Sequence, residues 1–566
     1  MRSCFLYRVV CNFRAMKRFT LTMMALLFAA TLSAQVEDDK GKKMKESQNN
    51  AMSEYERFKQ QAMQEYNDFR KKANQEYAKF MAEAWKFYPA KEAEEIPWQP
   101  KPPEPMVAPE QPDPVQPEGT VKPEEPAPTQ PEEVDEPEKP VPTQPVDIDE
   151  PEKPAPTQPE DTDVPEETPI KIGSEAPIRL EVKVKPAKPI EKPQPAEPIK
   201  PRPLPSTATT QSLYMYGSVF SFHIEKETPL KLKDVTEKSV AEMWTQLSDS
   251  KYDNIIAECL QKRKENKLCD WAYVKLTQTV AEKYCGKGTD EAVVMQMYLL
   301  TQSGYQMRIA RTNSNRLALL MGSEEKIFRY KYFILDKTKF YIIDQAFKDE
   351  GMMVFDHAFP KEKSLSLSMT QPVLNVERTE QRTIESDRYP EMKVTVETNR
   401  NLLEFYNDCP LTARWDYYSK ASMSNVLKKS LYPTLRKVLE GKDELKAANM
   451  LLNFVQTGFD YQTDSDQFGY ERPLYPDETF FYPYCDCEDR SILFSCLVRE
   501  LLGLDVVLLN YPNHIATAIH FNKEVKGDAV VIDGKTYIIS DPTYINAPVG
   551  SCAPKYKSQT PGVVAL

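Results

Sequence analysis

Between Pro97 and Pro205 the chain carries 32 of its 47 prolines. Proline fixes φ and removes a backbone donor, so a tract this dense cannot be built into a helix interior or a central strand. Residues 97–210 are therefore expected to be a disordered Pro/Glu-rich linker, extended and with its charges in water. A 14-residue unit recurs inside it, over Val121–Val134, Asp135–Ile148 and Asp149–Thr162, each copy with Pro-Thr-Gln-Pro. The tract reads first as a spacer, and second as a source of proline motifs for a partner. It splits the chain into an N-terminal segment and a globular portion that begins near Tyr214.

The N-terminal segment opens with an export signal over residues 1–34. Lys17 and Arg18 precede an apolar run from Leu21 to Leu32, and Ser33-Ala34 before Gln35 suits cleavage. The run is too short for a stable span, so no membrane anchor is expected after cleavage. Residues 45–90 form a helical arm. Its period is eleven: Tyr55, Phe58 and Ala62; Tyr66, Phe69 and Ala73; Tyr77, Phe80 and Ala84. Eleven residues are close to three helical turns, so these side chains form one nearly straight stripe. Such a stripe packs on itself or on a second copy, or else it grips a ligand such as a glycan.

In the C-terminal half, Cys487 stands just before apolar residues at helical spacing: Ile492, Leu493, Cys496, Leu497 and Leu501. Asp486, Glu488 and Asp489 suit the N-terminus of that helix. A cysteine there meets free N–H groups and the positive helix pole, both of which favour the thiolate. Asp489 also has simpler roles, capping the helix or binding Arg490. Cys485 precedes the helix and Cys496 lies on its apolar face. Further on, His514 opens a strand after an Asn-Tyr-Pro-Asn turn and Asp541 closes the next strand, in Asp-Pro-Thr. His520 lies six residues beyond His514 at the far end of the same strand, a position that suits an exposed or structural role.

Over Leu445–Tyr544 the chain resembles the transglutaminase-like superfamily of papain-like cysteine enzymes, in the order Cys, His, Asp. The resemblance implies Cys487 as nucleophile, His514 as base and Asp541 as the group that orients the imidazole. It implies an oxyanion hole that includes the Cys487 N–H, with Tyr482 or Tyr484 as a possible hydroxyl donor. The sequence departs from the family after the histidine, where Ile515 and Ala516 replace a small residue and an aromatic.

The globular portion also resembles itself. Gly288, Arg316 and Asp344 are spaced by 28 and 28 residues; Cys487, His514 and Asp541 by 27 and 27. Similar apolar runs surround each position. The expected fold is α+β: tandem transglutaminase-like domains after an N-terminal helix and a disordered linker. The first, 214–350, is degenerate, since glycine cannot attack and arginine cannot accept a proton. Cys285 is three residues from the aligned position but has no histidine near Arg316. Residues 351–393 are read as a β-rich connection and 394–566 as the catalytic domain, with Ala547–Leu566 packing loosely.

The net charge of −12 gives no reason to bind nucleic acid, and four histidines do not build a histidine-rich metal site. No cofactor is implied. Export leaves eight cysteines in an oxidising or mixed compartment, with pairing open. Three functions follow: a periplasmic or secreted cysteine hydrolase acting on peptide, protein or cell-wall amides; a transglutaminase joining glutamine side chains to amines; and a non-catalytic binding protein. A homo-oligomer through the arm is a further expectation.

Overall fold

The computed structural model describes residues 38–97, 104–108, 177–184, 192–196, 199, 201–224, 230–347 and 351–566. The export signal and the three 14-residue repeats lie outside the described residues. The fold is mixed α+β, with two six-stranded sheets as its largest elements of β structure.

The first sheet runs in the spatial order Lys86–Pro89, Gly351–Phe355, Met307–Arg311, Leu317–Ser323, Thr338–Ile342, Tyr332–Leu335, antiparallel throughout. The second runs Gly562–Ala565, Asp505–Tyr511, His514–His520, Lys535–Ser540, Ala529–Ile532, Arg179–Val182. Five consecutive strands of one match five of the other in order and direction. Each sheet then gains one outside strand, at opposite ends. In each, a helix leads into the first strand of the shared hairpin: Asp290–Gln302 in the first unit and Cys487–Leu497 in the second. The registers agree as well. Ile343 N–H bonds Leu319 O at 3.0 Å in the first unit, and Ser540 pairs with Thr517 in the second. Counting on from these pairs, Asp344 and Asp541 hold the same sheet position, as do Arg316 and His514. Asn315 and Asn513, each just before those residues, both take a positive φ, 58° and 63°.

The two units pack against each other. Tyr475 and Ile492 of the second join the core of the first. Within the second unit, Tyr475 is braced by Tyr406, stacked at 4.2 Å between ring centroids.

The N-terminal arm differs from its expected form. Its helix spans Asp38–Met81, and the last turns are buried in the first unit. Tyr77 lies 4.9 Å from Trp244 and from Phe355 and 5.2 Å from Phe359, a ring cluster that explains why the arm docks instead of standing apart. Arg70 forms an ion pair with buried Asp253. Asn74 bonds both Trp244 Nε1 and Gln302. Phe80, one turn from Tyr77, is exposed at the rim and stacks on His357. The stripe therefore divides between core and surface. The chain then supplies Lys86–Pro89 as an edge strand.

The linker is corrected too. Among its described residues, Arg179–Val182 pairs parallel with Ala529–Ile532, and Met106–Val107 pairs with Tyr544–Ile545. Leu180 and Val182 alternate with charged neighbours, which is the pattern of a half-buried edge strand, and both pack on the second core. The backbone of Gln194 lies so close to Gly304 that a Cβ there would meet its carbonyl oxygen at 1.9 Å. With φ +94°, that position favours glycine. Pieces of the proline-rich tract are thus structural parts of both units.

Two further boundaries move. Gly351–Phe355 belongs to the first sheet, not to a connection. The C-terminal stretch does not pack loosely: Cys552, Ala553 and Tyr556 are buried, and Gly562–Ala565 pairs with Asp505–Tyr511. No helix among the described residues is long and apolar enough to cross a membrane.

Candidate active site

Cys487 is the first residue of the helix Cys487–Leu497. That helix starts where it does because Asp489 accepts a bond from the Asp486 N–H at 3.3 Å and from Leu474 N–H at 2.8 Å. Asp486 is the N-cap and Asp489 closes the capping box onto it, while Arg490 turns elsewhere. Its buried guanidinium donates to Gln456 O at 3.1 Å and Phe459 O at 2.6 Å, tying the cysteine helix to the end of Glu444–Thr457. One turn on from Cys487, Ser491 Oγ donates to Ile515 O at 2.9 Å. Residues four apart share a helix face, so this bond brings Cys487 towards the start of the histidine strand. Cys487, Leu508 and Ile515 form a small apolar cluster, covered by Trp415, Val564 and Leu566.

His514 and Asp541 meet directly. His514 Nε2 and Asp541 Oδ2 are 2.7 Å apart, with side chains 1% and 3% exposed. The second Asp541 oxygen accepts from Thr543 N–H at 2.9 Å, so the carboxylate is held from both sides. The other ring nitrogen, His514 Nδ1, is buried and has no protein hydrogen-bond partner. Tyr556 lies flat on the imidazole, 4.8 Å away and 4° from parallel, and Tyr511 stacks on Tyr556 in turn. Burial pushes the Tyr556 phenol up, and the charges of Asp541 and Cys487 add to that.

The site is covered. Cys487 is 1% exposed and the His514 residue 2%. The thiol donates to Glu488 Oε2 at 3.2 Å. Carboxylates from further away in the chain gather behind it. Ligating atoms of Asp486, Cys487 and Glu488 lie within 4.8 Å of one another, as do those of Asp464, Asp486 and Asp489, and of Asp464, Glu471 and Glu488.

The remaining candidates fall outside this group. Cys485 is on the short strand Tyr484–Cys485, and burial pushes its thiol up to about 12. Burial does the same to Cys285, whose sulfur touches Met295. Cys496 is in the core and donates to Ser419 O. All eight described cysteines are free thiols. His520 caps its strand end, its Nδ1 2.9 Å from Thr536 O. Tyr484 is exposed, and Tyr482 packs edge-on against Phe468. The phenol against the histidine is Tyr556, in a stretch with no periodic pattern to mark it. Sequence reading also missed Gln456, whose signal was present: a buried amide on the apolar face of a helix.

No protein-family model matches the chain, and no curated protein or solved structure matches it either.

Proposed function

We propose that the second unit is an exported transglutaminase-like cysteine enzyme that hydrolyses peptide or amide bonds through a thioester on Cys487. One observation carries the reading: a buried imidazole bonded to a carboxylate through Nε2, with Nδ1 left for a proton, beside a helix that begins with cysteine. Nδ1 takes the thiol proton, the sulfur attacks the carbonyl carbon, and the same proton passes to the leaving amine. Asp541 keeps the ring in the tautomer this requires. The Cys487 N–H is in the first helical turn and would face the developing oxyanion. Water then releases the acyl group. The thiol must first turn from Glu488 towards the imidazole, and Trp415 with the C-terminal Val564 and Leu566 must shift to admit a substrate. The matching strand order and the Gly288, Arg316, Asp344 set support a tandem pair whose first member lost its catalytic groups.

The burial of Cys487 favours a second reading, acyl transfer to an amine, because excluding water protects a thioester from hydrolysis. The full chain is to be incubated with a glutamine-containing peptide and a labelled amine. Ammonia release without label supports hydrolysis, and label in the peptide supports transfer. His514→Ala is expected to lower either rate by roughly 10²–10⁴-fold. If Cys487→Ala changes nothing and iodoacetamide leaves Cys487 unmodified at neutral pH, the unit is a binding module.

A further inference from the structure

The first unit keeps a cavity where the second has its candidate active site. Asp344, at the sheet position of Asp541, and Gly288, aligned with Cys487 in sequence and just before the helix Asp290–Gln302, both line a cavity of about 340 Å³. That size lies within the range of small-ligand sites. Glycine brings no nucleophile there, and its absent side chain leaves the cavity open: a Cβ at Gly288 would meet nothing within 4 Å. Arg316, at the sheet position of the base, is held at the edge of the cavity by two partners. It bonds Asp290 at 3.0 Å and Gly288 O at 2.7 Å.

The lining charges do not balance. Glu282, Asp344 and Asp408 face one cation, Lys275, and Lys275 is already bound to Asp408 at 3.0 Å. Glu282 and Asp344 receive only neutral donors, the Gln278 amide at 3.0 Å and the Ala346 N–H at 2.9 Å. The walls add aromatic faces. The ring of Trp271, 3% exposed, holds the Lys275 ammonium 5.4 Å from its centre, and Tyr330 meets that ring edge-on. Leu317 and Leu319 line the cavity as well and suit an aliphatic stem. With the Trp271 face already holding Lys275, the carboxylates and the apolar surface are what suit a cation on a hydrocarbon chain.

We propose that this cavity is a non-catalytic binding site for a primary alkylammonium group, the lysine-type side chain of a peptide. The site does not depend on the second unit being an enzyme. In an enzyme it would hold a basic segment of the substrate on the neighbouring unit.

The test is calorimetric titration of the full chain with Nα-acetyl-lysine methylamide and with its Nε-acetylated counterpart. The charged probe is expected to bind and the acetylated one to bind at least roughly tenfold more weakly, the size of one lost charge-assisted contact. Asp344→Asn and Glu282→Gln, isosteric and at accessible positions, should each weaken the charged probe by roughly tenfold with the melting temperature unchanged. Cys487→Ala should leave its affinity unaltered, which separates this cavity from the candidate active site. Equal affinity for the two probes, unaltered affinity in both carboxylate variants, loss in Cys487→Ala, or no saturation up to about 10 mM would overturn the assignment.

Discussion

Gln456 shows how much of the candidate site depends on one amide. Its Nε2 is 3.0 Å from Asp541 O, 2.8 Å from Tyr544 O and 3.1 Å from Ala547 O. With two hydrogens for three carbonyls, it pins the whole turn that follows Asp541. Leucine would match its size and remove the side-chain donor from all three carbonyls; Asp541 O and Tyr544 O keep the Tyr544 and Ala547 N–H groups, and Ala547 O loses its bond, at a cost of about 1–3 kcal/mol. Gln456→Leu should therefore lower the urea midpoint and, if the second unit is catalytic, reduce kcat more than it raises KM. Wild-type kcat in a destabilised Gln456→Leu would mean that the turn holds Asp541 without help.

Among the elements, the short helix Pro476–Phe481 presents a buried carboxylate to the start of Asn425–Leu439. Asp477 Oδ2 accepts from Ser424 N–H at 2.9 Å, and Ser424 caps that second helix. Burial nevertheless dominates and raises the Asp477 carboxyl to about 6, against bonds from Ser424 that lower it. A raised carboxyl binds its proton more tightly in the folded state. Its contribution to stability is thus complete below about pH 4 and lost as pH rises through about 6, amounting to about 3 kcal/mol. Asp477→Asn keeps an acceptor for Ser424 and cannot ionise. Its unfolding free energy should gain about 3 kcal/mol on wild type between pH 4 and pH 7. Denaturant titrations at the two pH values measure this, and a constant difference would show that the carboxyl does not titrate there.

For the whole molecule, segments far apart in sequence complete each unit. The helix Asp38–Met81 brings Tyr77 and Met81 into the first core, joined by Trp85, and Lys86–Pro89 closes one edge of the first sheet. Arg179–Val182 does the same for the second sheet. Burying three large apolar side chains is worth roughly 5–8 kcal/mol, comparable to the net stability of a domain. A chain beginning at residue 201 should therefore unfold at markedly lower urea and expose enough apolar surface to aggregate. An unchanged midpoint would show that the arm is dispensable to the fold. Tyr77→Ala in the full chain should cost roughly 3 kcal/mol by opening a cavity between Trp244 and Phe355.

What was legible without coordinates was local or periodic. The cysteine helix follows from apolar spacing after Cys487. The positions of His514 and Asp541 follow from strand alternation and turn residues. The matching of the two units follows from equal intervals around Gly288 and Cys487. Such patterns depend on neighbours a few residues away, or on a repeat. The long-range outcomes were decided only by tertiary packing: that the arm docks through Tyr77, that Leu180 and Val182 leave a proline-rich tract to pair with a distant edge, and that Tyr556 covers the imidazole. No pattern around these residues names their partners, because burial is shared between surfaces well separated along the chain. The sequence determines which faces must be covered; the fold determines what covers them, since apolar burial rewards any surface of the right shape and carries no address.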